Sequence, residues 1–403
     1  MGNMLSKAQL SESLLTSAKP SYIWTQNFIL LCLVNFVLFM GTQMLFPSVP
    51  MYLLTIGGDP RDVGFVMGAY TISAMVVRPL GGWLVDSFGR KTVMVLGMLL
   101  MLGASLLYSL AGNVSLMTLI RIFHGMAFGL ASTAIGTIVV DSLPLGRLNE
   151  GMGFFGLTST LSMALAPMIG FGLVDKSGYP MLFLVISLLT GAAFGISLMV
   201  RTSAAPINTS GRTVTGIWYN LVEKTALPAS GVMFFLAIVY GSVLSYISLY
   251  AIERGITNIG LFFTAMAVTM LVSRPLSGRW ADEGGTDTVL AVGHLTLAMG
   301  MVTTGLSHSI PGFLLAGAFI GIGFGFCLPT IQAQAVRHAP VHRRGAATAT
   351  FFATFDLGIG LGSIIWGYVA AASSYQTMYF ITLLPVALAG LIYYQFTASH
   401  KTD

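Results

Sequence analysis

One acidic residue lies deep inside an apolar run of this chain: Asp356, in Phe351-Phe352-Ala353-Thr354-Phe355-Asp356-Leu357-Gly358. A carboxyl at such depth must be neutral, paired with a cation, or turned toward water, because lipid does not solvate its charge. Such a group can take up and release a proton, so Asp356 is a candidate proton carrier. In a second apolar run, Arg121-Ile122-Phe123-His124-Gly125, two further groups stand three residues apart. That spacing puts Arg121 and His124 on one face of a helix. A guanidinium inside a membrane needs a cavity or a partner, and imidazole is the side chain that titrates near neutral pH. Asp356, Arg121 and His124 are therefore the proton-coupling candidates. Each also has a purely structural reading: a helix-interface carboxyl, an arginine on backbone carbonyls, and a packed histidine.

A second kind of chemistry is mechanical. The segment Gly81-Gly82-Trp83-Leu84-Val85-Asp86-Ser87-Phe88-Gly89-Arg90-Lys91 joins two apolar runs. Gly82 is expected to let its helix pack closely on a neighbour. Asp86 can accept hydrogen bonds from helix N-terminal amides or pair with a base. Arg90 is level with Asp141, at the end of another run. These charges can form a latch that holds one conformation and breaks in the other. The plainer reading is that Arg90 and Lys91 only set orientation. A degenerate copy, Gly278-Arg279-Trp280-Ala281-Asp282, recurs later.

The elements that carry these residues follow from composition. Of 403 residues, 55% are apolar and 8% are charged, against about 25% charged in a soluble domain. Lipid must be the main solvent. Apolar runs long enough for a bilayer, about 20 residues each, fall at 26–47, 62–84, 92–111, 116–140, 151–173, 180–200, 228–251, 258–279, 288–307, 311–336, 346–370 and 376–396. The class is an all-α membrane protein of twelve spans. Residues 1–25 read as an N-terminal tail, 26–200 as one six-helix bundle, 201–227 as a polar linker, 228–396 as a second bundle, and 397–403 as a tail. Lys and Arg concentrate on one side of the predicted spans, which puts both termini in the cytoplasm. Arg78 and Arg274 lie near span ends, where a long cationic side chain can snorkel to the headgroups; the alternative is a role in the interior gate.

An internal repeat relates the bundles. An offset of 196 residues carries Arg78-Pro79-Leu80 onto Arg274-Pro275-Leu276, Gly82 onto Gly278 and Asp86 onto Asp282. It also carries Gly125 and Gly129 onto Gly321 and Gly325, and Pro144 and Arg147 onto Pro340 and Arg343. Parallel six-helix repeats place a binding cavity between the halves near the midplane. Candidate lining residues from the pore-facing spans are Asn35, Gln43, Tyr70, Tyr240, Tyr246, Gln332, Gln334, Phe351 and Phe355. An aromatic cavity with few polar groups suits an amphipathic compound.

The segment from Gly82 to Lys91 resembles the signature loop of the major facilitator superfamily, G-x-x-x-D-x-x-G-R-K, and the resemblance extends over about 26–396. Arg121 and Gly125 resemble an R-x-x-x-G element that the family associates with proton coupling. Ala166-Pro167-Met168-Ile169-Gly170-Phe171 partly resembles the antiporter motif G-P-x-x-G-G, with Ala166 and Phe171 in place of glycines. Pro167 is expected to kink its helix, and Gly170 to let it pack tightly. Many drug–proton antiporters of the superfamily carry an acid in span one, whereas this span has Asn35 and Gln43. The resemblance implies the efflux branch: a monomeric secondary transporter that exports a drug-like or metallophore-like compound by alternating access. The proton gradient would be its energy source, in a bacterial inner membrane.

Other readings are a nutrient importer or a lipid flippase on the same fold, and a membrane-embedded enzyme. No G-x-x-x-x-G-K-[ST] loop for ATP is present. Cys32 and Cys327 lie inside apolar runs without CxxC spacing. His338 and His342 have helical metal-ligand spacing but flank Pro340 in a basic loop. No metal or cofactor is therefore predicted. The net charge of +5 reflects loop lysines and arginines on one side rather than a nucleic-acid surface; membrane lipid, a small-molecule substrate and protons are the expected partners.

Overall fold

Eleven helices of the computed structural model are long and apolar enough to cross a membrane, among the described residues 22–144, 147–202, 222–337, 339–340 and 343–400. The first half holds α1 (Gln26–Thr55), α2 (Pro60–Phe88), α3 (Arg90–Leu107) and α4 (Val114–Ser142). Next comes a continuous helical run of 52 residues, Leu148–Met199. At 1.5 Å per residue it would be roughly 78 Å long, more than twice a bilayer core. It is broken at Gly178, whose φ of 76° and ψ of 179° are non-helical. Glycine alone adopts such a φ without strain, and Pro180 follows within the first turn of the next arm. We call the arms α5 (148–177) and α6 (179–199).

The arms fold back on each other. A Cβ on Gly170 of α5 would lie 3.4 Å from Met44, while one on Gly41 would lie 3.5 Å from Ile186 of α6. Two nearby residues of α1 thus touch positions that a straight helix would separate by about 24 Å. The described helices make twelve crossings as the sequence predicts. The break at Gly178 falls in the gap predicted between the spans 151–173 and 180–200, and helical dihedrals continue through Pro167.

The second half holds α7 (Leu227–Glu253), α8 (Gly260–Trp280), α9 (Thr286–Leu306), α10 (Ile310–Arg337) and α11 (Arg344–Ala372). Helix α12 is split at Thr382 into Tyr375–Ile381 and Leu383–His400. Several helices run past their predicted spans. Helix α1 continues through Pro47 and Pro50 to Thr55, which membrane helices tolerate because neighbours satisfy the freed backbone groups. Residues 1–21, most of the expected linker (203–221), both histidines of the basic loop and residues 401–403 lie outside the described residues.

The 196-residue repeat reappears in the packing. A Cβ on Gly125 would strike the Tyr70 carbonyl oxygen, and one on Gly321 would strike that of Met266, which is the repeat partner of Tyr70. Gly97 lies against Ala131 and Gly293 against Cys327 in the same relation. Two equivalent bundles are therefore built by equivalent helix contacts, α2 on α4 and α8 on α10, with small residues letting the backbones approach.

The bundles meet along two seams. One end of the molecule carries Arg90, Lys91, Arg147, Arg201, Lys224, Arg279, Arg343 and Arg344 and is called here the basic end. At the opposite end the seams are closed. Along α2 and α11, a Cβ on Gly68 would lie 2.6 Å from the Gly360 carbonyl oxygen, and one on Gly367 would lie 2.6 Å from that of Pro60. Tyr246 of α7 donates to the Pro60 carbonyl at 3.1 Å and the Ser363 carbonyl at 2.7 Å, pinning the halves together. Along α5 and α8, Thr264 donates to the Ala164 carbonyl at 2.8 Å. Toward the basic end the seams part: a Cβ on Gly82 or on its repeat partner Gly278 would meet nothing within 4 Å.

Overpacking a close contact costs about 1–3 kcal/mol, so Gly68→Val should speed the reaction of a cysteine placed at Ser363 with an impermeant maleimide by about tenfold or more. An unchanged rate would show that this seam is not what keeps water out.

Candidate functional site

The seam between α2 and α11 carries an ion pair. Arg78 Nε donates to Asp356 Oδ2 at 2.9 Å, with a further contact from Nη1 to Ser132 Oγ at 3.3 Å. The expectation that Arg78 snorkels to headgroups is therefore corrected. Arg78 sits ten residues, about 15 Å, from the end of α2, and a carboxylate on the other bundle is closer than the headgroups. Helix α11 can bring Asp356 there because Gly360, four residues on and on the same face, lets α11 approach α2. Gly358 and Gly362 project to the other side, against Phe234 and Ile238 of α7. The glycine run thus serves two helix contacts at once. The Asp356 side chain is 15% exposed and that of Arg78 31%, so water in the gap between the halves can reach the pair.

A second cluster lies within the first bundle. The Arg121 guanidinium stands 4.1 Å over the Tyr70 ring and 5.6 Å from that of Phe46. Its Nη1 donates to Tyr108 Oη at 3.4 Å, and the same hydroxyl lies 2.7 Å from His124 Nδ1. Desolvated cation–π contacts of this kind contribute about 2 kcal/mol or more. Arg121 is wholly buried, and neither its Nε nor the Tyr70 hydroxyl has a hydrogen-bond partner among the described residues. Arg121, His124 and Tyr70 are thus brought together, but inside one bundle rather than at the gap. A stacked run links them to the seam: Tyr70 lies 5.9 Å from Phe128, and Phe128 lies 5.9 Å from the Arg78 guanidinium.

The second seam repeats the first with one change. Arg274, the repeat partner of Arg78, extends Nη1 to Thr160 Oγ1 at 3.4 Å. Arg274 therefore also turns to the opposite bundle rather than to headgroups. Thr160 is the repeat partner of Asp356. Beside it, Tyr240 Oη lies 3.8 Å from Met163 Sδ, and its ring lies 4.7 Å from Phe324 and 6.1 Å from Phe355.

At the basic end, Gly89 has a φ of 90° and separates α2 from α3. It is the loop glycine with a steric need, whereas a Cβ on Gly82 would meet nothing within 4 Å and the expected contact falls to Gly81, where a Cβ would lie 3.5 Å from Leu130. Arg90 pairs with Asp141 at 2.7 Å, and Lys91 Nζ donates to the Leu198 carbonyl at 2.9 Å. Both contacts stay within the first bundle and persist although the seams part here, so the Arg90–Asp141 pair is not by itself the latch. The side chains of Asp86 and Asp282 lie outside the described residues. Glu223, which the sequence reading missed, ties the start of the second bundle to Arg343 and bonds Thr350 Oγ1 through its amide at 2.9 Å.

The remaining candidates divide. Ala166, Pro167 and Gly170 are buried, with Gly170 against α1. Tyr240 and Phe355 are half-buried near the gap, Gln43 is half-buried on α1, and Gln332 is half-buried on α10. Four do not line the gap. Asn35 donates to Thr158 at 2.7 Å inside the first bundle. Tyr246 seals the opposite end. Gln334 contacts Tyr393 at 3.4 Å on the α12 side of α10. Phe351 is fully buried against Phe352. The sequence reading missed Phe46 and Phe324, which carry no pattern of their own. Thr160 was recoverable by applying the repeat offset to Asp356.

A family profile described as Major Facilitator Superfamily matches residues 31–282 and 233–402. The chain is 23% identical over 378 residues to an uncharacterised MFS-type transporter of Methanocaldococcus jannaschii, covering 92% of this chain and 97% of that one. It is 23% identical over 368 residues to the staphylopine export protein of Staphylococcus aureus, covering 88% and 92%. Among solved structures, a POT family transporter in complex with a thioalcohol-conjugated peptide superposes with a TM-score of 0.79 at 15% identity, covering 95% and 98%. At that identity the likeness shows the fold.

One contact here predicts a pH dependence. Arg343 and the Thr225 amide and hydroxyl hold the Glu223 carboxyl below its ordinary range. A depressed carboxyl stabilises the fold above its unfolded value, about 4.3, and that stabilisation is lost as pH falls through the folded value. Glu223→Gln should lower the melting temperature at pH 7 by a few degrees and flatten its fall between about pH 5 and pH 3. Parallel curves for the two proteins would show that the ion pair contributes nothing.

Proposed function

This chain belongs to the Major Facilitator Superfamily, and we propose that it exports a small amphipathic or metallophore-like compound in exchange for protons, by alternating access. The observation that carries this reading is the Arg78–Asp356 pair. It is an ion pair between the two bundles, at the inner edge of a closed seam and within reach of water. The Lys/Arg bias assigns the basic end to the cytoplasm, so the arrangement described is the cytoplasm-open state, with the far side sealed by α2 on α11 and α5 on α8. The likeness to the staphylopine export protein favours export. The protein acts as a monomer in a bacterial inner membrane.

The cycle follows from what Asp356 faces in each state. When the far side opens, α2 leaves α11 and Asp356 loses Arg78. A carboxyl without its countercharge at that depth binds a proton from outside. When the far side seals, Arg78 returns, the ion pair reforms, and the proton leaves through the gap at the basic end. Substrate entering that gap then supplies the interaction energy needed to part the seam, because a ligand shifts a two-state equilibrium only by binding one state better. The Arg121–Tyr70–Phe128 stack supports Arg78 from behind and keeps its guanidinium at the seam. The proton gradient drives the cycle, without a cofactor.

Liposomes loaded with a pH-sensitive dye test this reading, with drug-like and metallophore-like compounds added under a proton gradient. Wild type should couple substrate movement to proton movement, and Asp356→Asn should lose that coupling by at least about tenfold, as expected where a transferring group is removed. Substrate movement with no proton signal in wild type, or full coupling in the variant, would contradict it.

A further inference from the structure

The two seams are equivalent by the repeat but not in charge. Arg78 crosses to Asp356 at 2.9 Å, while Arg274 crosses to Thr160 at 3.4 Å. Applying the repeat offset to either arginine or to either acceptor gives the other seam, so one fold position holds a carboxylate in one copy and a hydroxyl in the other. Arg274 is left with weak neutral partners. Its Nη2 lies 3.5 Å from Met270 Sδ, one turn back along α8, so the side chain folds toward the middle of the bilayer. Its Nε is buried with no acceptor among the described residues.

A guanidinium presents five donors in a plane and recognises a carboxylate through two parallel hydrogen bonds. Leaving such a group inside a membrane protein without a countercharge is costly; Arg121 is held by the faces of Tyr70 and Phe46, whereas no ring stands over Arg274 among the described residues, so a partner from outside the chain would lower that cost. The surroundings suit a ligand with one acidic end and an apolar body. The Thr160 hydroxyl, which donates to the Gly156 carbonyl at 3.2 Å, accepts from the guanidinium and holds it facing the gap. Tyr240, with Phe324 and Phe355 stacked around it, offers an aromatic wall across the gap. The site is reached from the basic end, where the seams part.

We infer that Arg274 with Thr160 is the seat for a carboxylate of the transported compound, whose apolar part lies on the Tyr240 side, so that the substrate completes at the second seam the ion pair that Asp356 completes at the first. The inference rests on the reading of this chain as a transporter with its site between the bundles, and it narrows the substrate class to amphipathic carboxylates.

The test compares each of several aromatic monocarboxylates, such as indole-3-acetate, 4-phenylbutyrate and dansyl-phenylalanine, with its methyl amide. Binding to the purified full-length protein is read by thermal shift and by titration. Charge-assisted hydrogen bonds contribute about 1.5–3 kcal/mol, so the acids should bind wild type about ten- to a hundredfold more tightly than the amides. Arg274→Gln should remove that preference while leaving amide binding unchanged, and Arg274→Lys should keep part of it. If Arg274→Gln fails to fold, Thr160→Val should reduce the preference severalfold. Equal binding of acids and amides by wild type, binding of neither, or an acid preference that survives Arg274→Gln would overturn the inference. The wild-type liposome assay separates this from proton antiport: an acid preference without a proton signal, or a proton signal without an acid preference, identifies which of the two readings failed.

Discussion

An arginine and an aspartate facing each other across a membrane protein hold two bodies in register. Neither charge is stable alone at that depth, and each removes the other's desolvation penalty only while the bodies stay together. The Arg78–Asp356 pair is that constraint here. Gly68 and Gly360 bring α2 and α11 close enough for the pair to form, and Gly358 and Gly362 seat α11 on α7 at the same time. Tyr246 pins the far end of the same seam. The Tyr70–Phe128 stack fills the space behind Arg78 and connects it to the buried Arg121 cluster. A seam of this kind has two discrete arrangements rather than a continuum, because packed interfaces do not deform gradually.

The internal repeat makes the second seam an experiment on the first. The same arginine position, the same helix pair by symmetry and the same direction across the gap are retained, but threonine replaces the acid. The acid's presence on one side gives a titratable tie along α2 and α11 and an uncompensated cation along α5 and α8. One seam answers to protons and the other to an anion that the described residues do not supply. The two ligands then act on different seams of one rocking body, which is how two binding events become coupled without sharing a residue.

Much of this was legible in the sequence. Low charge and apolar runs specify spans, the Lys/Arg bias specifies sides, and repeated Gly, Pro and Arg at one offset specify two bundles. Asp356 stood out because an intramembrane acid must have a partner. The identity of that partner was not legible, since Arg78 near a span end reads equally as a headgroup anchor until α11 is placed beside it. Gly82 was read as the packing glycine of its loop because the motif marks it, yet packing falls to Gly81 and backbone conformation to Gly89. Tyr246 and Gln334 were assigned to the cavity by span number, and which face a helix turns inward depends on rotation that hydropathy does not encode in a helix that is apolar all round. Thr160 was within reach of the repeat arithmetic, but a threonine in a membrane helix attracts no notice until its partner position holds an acid.

The most direct test of the central claim is the distance across the basic end, read by spin labels at Phe88→Cys on α2 and Ala349→Cys on α11 in a Cys32→Ser, Cys327→Ala background. The account predicts a predominantly long distance for the ionised protein at alkaline pH. Asp356→Asn should move population to the shorter distance of the closed basic end, because the tie that holds α2 on α11 is gone. Identical distance distributions for the two proteins across pH would contradict the claim that this ion pair sets the conformational balance.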